Sequence, residues 1–103
     1  MYLTLFRNRK RADMDAAAYT ADNARMEELG KQSPGFISIK SFVGEDGEVL
    51  TLSEWASEEA AKAWGRHPEH RQVQARGKSA YYDEYTLYSC TDPAIRRFER
   101  GQA

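Results

Sequence analysis

The sequence predicts one α+β domain with a four-stranded antiparallel sheet and two helical regions on one face of that sheet. Three observations lead to this prediction. Apolar and polar residues alternate in four short runs, apolar residues recur at helical spacing in two longer segments, and an Asp-Gly pair separates the second and third alternating runs. A chain of 103 residues has the size of one domain with one hydrophobic core, so residues 1–103 are expected to form a single unit.

The first alternating run, Tyr2 to Arg9, predicts a strand. Leu3 and Leu5 point to one face, whereas Tyr2 and Phe6 point to the other. Because both faces carry apolar side chains, we expect both to be covered in the folded protein.

A helix is predicted from Ala16 to Leu29. Asp13 or Asp15 can serve as its N-cap, since a carboxylate at that position accepts hydrogen bonds from the backbone amides of the first turn. Gly30 is the expected C-cap, because glycine readily adopts the left-handed conformation that ends many helices. The side chains expected to be buried on this helix are those of Tyr19, Met26 and Leu29.

The next two runs predict a β-hairpin. Ser33-Pro34-Gly35 is a turn signal that precedes the second alternating run, Phe36 to Val43. Asp46-Gly47 then leads into the third run, Glu48 to Trp55, and an Asp-Gly pair between alternating runs is typical of a hairpin turn. The second and third strands are therefore expected to pair in antiparallel fashion.

The second helical region is predicted to be broken. Ser57 is placed to cap a helix that includes Ala60 to Trp64. Pro68 lacks a backbone donor and disfavours helical geometry at His67, so a break or kink is expected there. Pro68 also fits the first turn of a resumed helix, which is expected to run to about Arg76.

The last strand is predicted from Tyr82 to Thr91, after Gly77 has weakened the preceding helix. Asp92-Pro93 marks a turn. Beyond it, a short extension from Ala94 to Arg100 is expected to pack through Ile95 and Phe98.

The predicted order is strand, helix, strand, strand, helix, strand, which is the βαββαβ arrangement of ferredoxin-like folds. Such a fold places both helical regions on one sheet face and leaves the other face bare. Because both faces of the strands are apolar, a bare face would form a large exposed patch. We therefore expect a second copy to cover it, sheet face against sheet face, in a two-fold homodimer.

Composition excludes several classes of partner. The chain has 15 basic and 16 acidic residues, a net charge of -1, so no basic excess points to nucleic acid. No apolar run is long enough to span a membrane, and no secretory signal is recognisable at the N-terminus. The single Cys90 cannot form an intramolecular disulfide and is expected to be a small buried side chain. A cytoplasmic protein without a metal site is the expectation.

Several motifs resemble the antibiotic biosynthesis monooxygenase family. They are Ser33-Pro34-Gly35-Phe36, the Asp46-Gly47 hairpin, Trp55-Ala56-Ser57-Glu58-Glu59-Ala60, and Ala63-Trp64 followed by His67-Pro68-Glu69-His70. The likeness continues through Gln74, Gly77 and Tyr81-Tyr82 to Tyr85 and so covers most of the chain. Members of this family are dimeric α+β barrels that include quinone-forming oxygenases and haem-degrading oxygenases.

The resemblance to the haem-degrading branch has one important exception. Asn8-Arg9 and Trp64 match residues of that branch, but Gln74 occupies the position of its axial histidine. His70 lies about one turn earlier and would reach the iron only if the helix shifted by roughly 5.4 Å. Haem is therefore the alternative cofactor, and none is the first expectation.

In the cofactor-independent branch, a phenol or hydroquinone loses a proton and its anion then transfers an electron to O2. Such a reaction needs a base, hydrogen-bond donors for the anion and an aromatic pocket. A histidine suits the base because its pKa is near neutrality. The catalytic candidates are His67, His70 and Asn8, and the substrate-binding candidates are Trp64, Tyr82 and Tyr85.

Each candidate also has a purely structural interpretation. Trp64 can be a core residue, His67 can simply end a helix, and His70 can lie on an exposed helix face. Asn8 can be a strand end, and the tyrosines Tyr82 and Tyr85 can fill a dimer interface. A dimer that binds a small ligand or has only a structural role is accordingly the third hypothesis, beside the cofactor-free and the haem-dependent oxygenase.

Overall fold

The computed structural model describes residues 1–101. The last two residues of the predicted 1–103 domain lie outside this range. The elements in chain order are β1 Tyr2–Lys10, α1 Ala16–Gln32, β2 Phe36–Val43, β3 Val49–Trp55, α2 Glu58–Gly65, α3 Pro68–Arg76, a π-helical segment Gly77–Tyr81, and β4 Tyr82–Thr91. None of the helices in residues 1–101 has the length and hydropathy that a bilayer-spanning segment requires.

The four strands form one antiparallel sheet in the order β2-β3-β1-β4. This order confirms the predicted ferredoxin-like α+β fold. Leu5 in β1 lies opposite Leu52 in β3 and Tyr88 in β4, so these three residues share one face. Asn8 and Phe6 point to the opposite face. We call the face of Leu5 the outer face and the face of Phe6 the helix-side face.

The helix-side face carries the most buried side chains. Tyr2 and Trp55 are 8% and 3% exposed, and the Trp55 ring meets Phe36 edge to face at 5.6 Å. Helices α1 and α2 pack on β2 and β3 respectively. Leu87 in the middle of β4, opposite Phe6, is 56% exposed, so the helices do not cover the whole of this face.

Helix α1 begins as predicted but ends later. Asp15, one of the two expected caps, accepts a hydrogen bond from the backbone amide of Ala18 at 3.0 Å. The prediction that Gly30 ends the helix is wrong, since α1 continues to Gln32. Gly30 is buried, and a Cβ placed on it would lie 3.4 Å from the Trp64 ring. The glycine therefore provides space for an aromatic neighbour rather than a helix end.

Two further predictions are corrected for the single chain. Cys90 is exposed rather than buried, because it lies on the uncovered outer face in register with Leu3. Ile95 and Phe98 are 60% and 77% exposed, so the segment after Asp92 gains no packing from them in one copy of the chain.

A network of polar side chains joins α1 to the α3–β4 connection. Arg76 donates two hydrogen bonds to the Asp22 carboxylate, at 2.8 and 2.9 Å. Tyr81, whose side chain is buried, donates a third to the same carboxylate. The hydrogen bonds from Arg76, and then that from Tyr81, lower the pKa of Asp22, because they stabilise its charged form.

Replacing Tyr81 with phenylalanine is expected to lower the free energy of unfolding at pH 7 by about 1–2 kcal/mol, because a hydrogen bond to a charged group is lost. The lowered pKa means that ionised Asp22 stabilises the fold above about pH 4 and that this contribution disappears as the pH falls through the folded-state value. The difference between Tyr81→Phe and the unaltered protein in urea unfolding should therefore shrink in acid. If Tyr81→Phe lowers the free energy of unfolding as much in an Asp22→Asn background as in the unaltered protein, the hydrogen-bond network is contradicted.

Candidate functional site

The structure sorts the predicted site residues into two groups. Trp64, His67 and His70 lie where α2 ends and α3 begins, and we call them the indole–imidazole cluster. Asn8, Tyr82 and Tyr85 lie on the helix-side face of β1 and β4 and form, with their neighbours Phe6, Lys10 and Tyr19, the strand cluster.

Local sequence explains how the indole–imidazole cluster forms. Pro68 is the first residue of α3, so the chain breaks between the helices, and His67 becomes the N-cap of α3. The break brings both imidazoles against Trp64. The His70 ring stacks on the indole at a centroid distance of 4.2 Å and an interplanar angle of 18°, and the His67 ring lies 5.6 Å from it.

Hydrogen bonds give the two imidazoles opposite tautomers. Nδ1 of His70 lies 3.0 Å from the carbonyl oxygen of Trp64. A carbonyl only accepts, so Nδ1 of His70 carries the proton and Nε2 retains a lone pair when the ring is neutral. Nδ1 of His67 instead accepts a hydrogen bond from the backbone amide of Glu69 at 3.2 Å. His67 therefore has its proton on Nε2, where it can be donated.

The surroundings of His70 favour its neutral form. Burial lowers the pKa of its imidazole, and nearby His67 lowers it further, whereas the hydrogen bond to Trp64 opposes both effects. A neutral His70 with an unprotonated Nε2 can accept a proton at neutral pH.

An open cleft of about 510 Å³ borders this cluster, a volume within the usual range for small-molecule sites. Helix α2 forms one side and the turn before β2 forms the other. Its lining residues are Ser33, Pro34, Gly35, Ser57, Glu59, Ala60, Ala63, Trp64 and His67. Gly35 has a φ of +82°, and a Cβ on it would lie 2.5 Å from the Cβ of Ala60, so only glycine fits this approach of turn and helix.

In the strand cluster, Asn8 is 2% exposed and lies opposite Tyr85 in the sheet. Its Oδ1 accepts a hydrogen bond from Lys10 Nζ at 2.9 Å. The rings of Phe6, Tyr82 and Tyr85 lie 5.2–6.0 Å from one another. Burial, and then the proximity of Tyr19, raise the pKa of Tyr82, which keeps its phenol neutral.

The sequence-based candidates are thus only partly brought together. Trp64 and His67 line the cleft, and His70 stacks on Trp64. Asn8, Tyr82 and Tyr85 are not among the cleft's lining residues. Sequence reasoning missed Lys10, whose position two residues after Asn8 on a strand was the available signal. It also treated Pro34 and Gly35 only as a turn.

The position expected for the axial haem ligand is occupied by Gln74, whose amide is a poor iron ligand. Gln74 is exposed, and its Nε2 lies 3.5 Å from the carbonyl oxygen of Gly65. His70 is held against Trp64 by stacking and by its Nδ1 hydrogen bond, about one turn from the expected position. Among residues 1–101, no group of three His, Cys, Asp or Glu side chains is arranged to hold a metal ion.

Comparison by sequence gives two matches. The sequence pattern of the family described as antibiotic biosynthesis monooxygenase matches residues 1–76. The uncharacterized protein YqjZ of Bacillus subtilis is 31% identical over 86 residues, which cover 84% of this chain and 74% of that protein.

Comparison by structure gives the same fold at low sequence identity. Rv0793 from Mycobacterium tuberculosis superimposes with a TM-score of 0.78 and 15% identity, over 93% of this chain and 98% of that one. A substituted form of SnoaB, a cofactor-independent oxygenase from Streptomyces nogalater, gives 0.73 and 13%, over 98% and 97%.

Proposed function

The chain belongs to the antibiotic biosynthesis monooxygenase family, and from this premise we propose that it is a monooxygenase that oxidises a small phenol- or hydroquinone-type substrate with O2 and without a cofactor. The observation that carries the proposal is the pair of opposite imidazole tautomers beside Trp64. One ring can accept a proton and the other can donate a hydrogen bond, which are the two functions that forming a substrate anion requires. The description of SnoaB as cofactor-independent supports the absence of a cofactor.

The proposed reaction begins with proton transfer from the substrate to Nε2 of His70. Nε2–H of His67 donates a hydrogen bond to the oxygen that becomes negative, and the amide of Asn8, which lies in the strand cluster outside the cleft, donates to another oxygen of the same substrate. The Trp64 indole lies against the planar substrate in the cleft, and Tyr82 and Tyr85 contact the part of the substrate that extends towards the strand cluster.

Oxygen chemistry then proceeds on the substrate itself. The anion gives one electron to O2, and the resulting radicals combine into a peroxide anion. That anion regains the proton from His70, and loss of water from the resulting CH–OOH group leaves a carbonyl where a CH2 group stood. For an anthrone, one O2 is consumed, one oxygen atom enters the quinone, and the other leaves as water.

Oxygen uptake tests the proposal. With 1,8-dihydroxyanthrone and a panel of naphthols, we expect uptake of one O2 per quinone formed, at a rate above that of the spontaneous reaction and unchanged by a metal chelator. Absence of enzymatic uptake across the panel would favour a binding protein without catalytic activity. Hemin added in stoichiometric amount should give no Soret band characteristic of a complex; such a band would favour the haem-dependent alternative.

The proposed enzyme is a homodimer that pairs through the outer sheet faces. Phe42 and Tyr88 on this face are 46% and 49% exposed. A shallow depression of about 250 Å³ lies among them, lined by Leu5, Arg7, Glu48, Leu50 and Tyr88. A face that combines exposed apolar side chains with the Arg7–Glu48 ion pair and such a depression is suited to burial against a second copy.

The dimer predicts a change of mass in one variant. Leu52 lies beside Leu5 at the middle of the outer face, so Leu52→Glu would place a charge in the interface. Sedimentation at micromolar concentration should give the mass of two chains for the unaltered protein and of one chain for Leu52→Glu. The exposed substitution Glu59→Gln on α2 serves as the control and should remain dimeric. An unaltered protein that sediments as one chain would contradict the dimer.

A further inference from the structure

Lys10 is a charged residue within the strand cluster that the proposed reaction does not yet use. Its side chain is half-buried on the helix-side face at the end of β1. Its Nζ lies 4.9 Å from the centre of the Tyr19 ring and 5.8 Å from that of Tyr82. Tyr19 and Tyr82 are thus titratable groups that face it, and Tyr81 and Tyr85 lie beside Tyr82.

The hydrogen bond of Lys10 fixes the orientation of Asn8. An ammonium group only donates, so the atom of Asn8 that it contacts at 2.9 Å must be the carbonyl oxygen Oδ1. The NH2 group of Asn8 then points away from Lys10 and is left as the donor. Without Lys10, either end of the amide could face a ligand.

The charge of Lys10 has no carboxylate partner nearby. Among residues 1–101, no aspartate or glutamate oxygen forms an ion pair with Nζ, whereas each of the other cationic side chains on β1 and α1 has one. A half-buried ammonium without a counter-ion raises the local potential and favours an anion beside it. The rings of Tyr19 and Tyr82 on either side offset the charge of the Lys10 ammonium only in part.

We propose that Lys10 and Asn8 form the oxyanion subsite of the enzyme, in which Lys10 positions the Asn8 amide and its charge favours the anionic form of a phenolic ligand. This role rests on the proposed function, because it concerns the same substrate anion. The substrate class is thereby narrowed to compounds with an ionisable phenol or enol oxygen that can contact the Asn8 NH2 group.

The test measures binding of 4-nitrophenol, whose phenolate absorbs in the visible range, and needs no turnover. In the unaltered protein the bound ligand should ionise at a lower pH than the free ligand. In Lys10→Met the pH of ionisation should return towards that of the free ligand, and the dissociation constant of the phenolate should rise about tenfold or more, as expected for the loss of a nearby positive charge in a half-buried site. Lys10→Arg should recover part of the affinity.

Two further variants separate positioning from charge and from general effects. Lys10→Gln keeps a donor for Asn8 Oδ1 without the charge, so it should bind neutral phenol normally but lose the preference for phenolate. Lys31→Met removes an exposed lysine near the end of α1 that pairs with Glu27, and it should bind like the unaltered protein. Urea unfolding verifies that each variant is folded.

Coupling to Asn8 completes the test. In an Asn8→Ala background, Lys10→Met should cause a smaller loss of affinity than in the unaltered protein, because part of its effect acts through the amide. Unchanged ionisation and affinity in Lys10→Met, or no binding of 4-nitrophenolate to the unaltered protein at millimolar concentration, would overturn the subsite. If the binding pattern holds while oxygen uptake is absent, the subsite stands and the proposed reaction fails.

Discussion

Gly35→Ala is expected to lower the free energy of unfolding by about 3 kcal/mol or more, because backbone strain and overpacking act together at this position. The backbone of Gly35 has a φ of +82°, which disfavours any side chain. The added methyl group would also lie 2.5 Å from the Cβ of Ala60, and neither group has a flexible end that can move aside. The turn and α2 would have to separate, which would widen the cleft that both residues line.

Gly47→Ala is the matched control for this prediction. Gly47 has a nearly identical φ of +87°, but nothing lies within 4 Å of its added Cβ. Only strain acts there, so the loss should be about 1 kcal/mol. Urea unfolding of both variants gives the comparison, and equal losses would show that the contact between Gly35 and α2 is not close.

His70→Ala is expected to reduce kcat/KM for the oxidation of a phenolic substrate by about 10²–10⁴-fold, the usual contribution of a positioned general base. The unaltered enzyme should show a rise of kcat/KM with pH through a pKa below that of an ordinary histidine, about 6.5, because burial depresses the pKa of His70 and only its neutral form accepts a proton. In the variant this rise should be absent.

His67→Asn is the comparison for the histidine pair. An asparagine at this position can still cap α3 by accepting the hydrogen bond from Glu69, so the fold should be retained. The variant should keep the rise of kcat/KM with pH, since the proposed base is intact, and lose activity through weaker stabilisation of the anion. Turnover that survives replacement of both histidines by alanine would show that the base is another group.

Most of the fold could be predicted from sequence because its signals are local. Alternation over Tyr2 to Arg9, the Asp46-Gly47 turn and the Ser57 cap each depend on a few adjacent residues, and the structure has all three. The predicted end of α1 was wrong because Gly30 makes room for the ring of Trp64, which is far away in sequence, and no local pattern reveals this contact. The exposure of Cys90 depends on whether a second copy covers the outer face.

The candidate site could be predicted only in part, for the same reason. The sequence places Trp64, His67 and His70 on the broken helix around Pro68, but only the structure shows that their rings meet. The tautomers follow from backbone partners that become known only in three dimensions. The contact of Lys10 with Asn8 likewise depends on side-chain positions. The roles of all these residues in binding and catalysis stay predictions.

Nitrogen NMR of the two imidazoles tests the central claim most directly. The claim is that Nε2 of His70 accepts a proton and Nε2–H of His67 donates a hydrogen bond, both beside Trp64. With ¹⁵N-labelled protein, long-range proton–nitrogen spectra should show the proton of the neutral ring on Nδ1 in His70 and on Nε2 in His67. The His70→Ala and His67→Asn variants assign the signals. Two rings with the same tautomer, or a His70 ring that carries both protons at pH 7, would contradict the account.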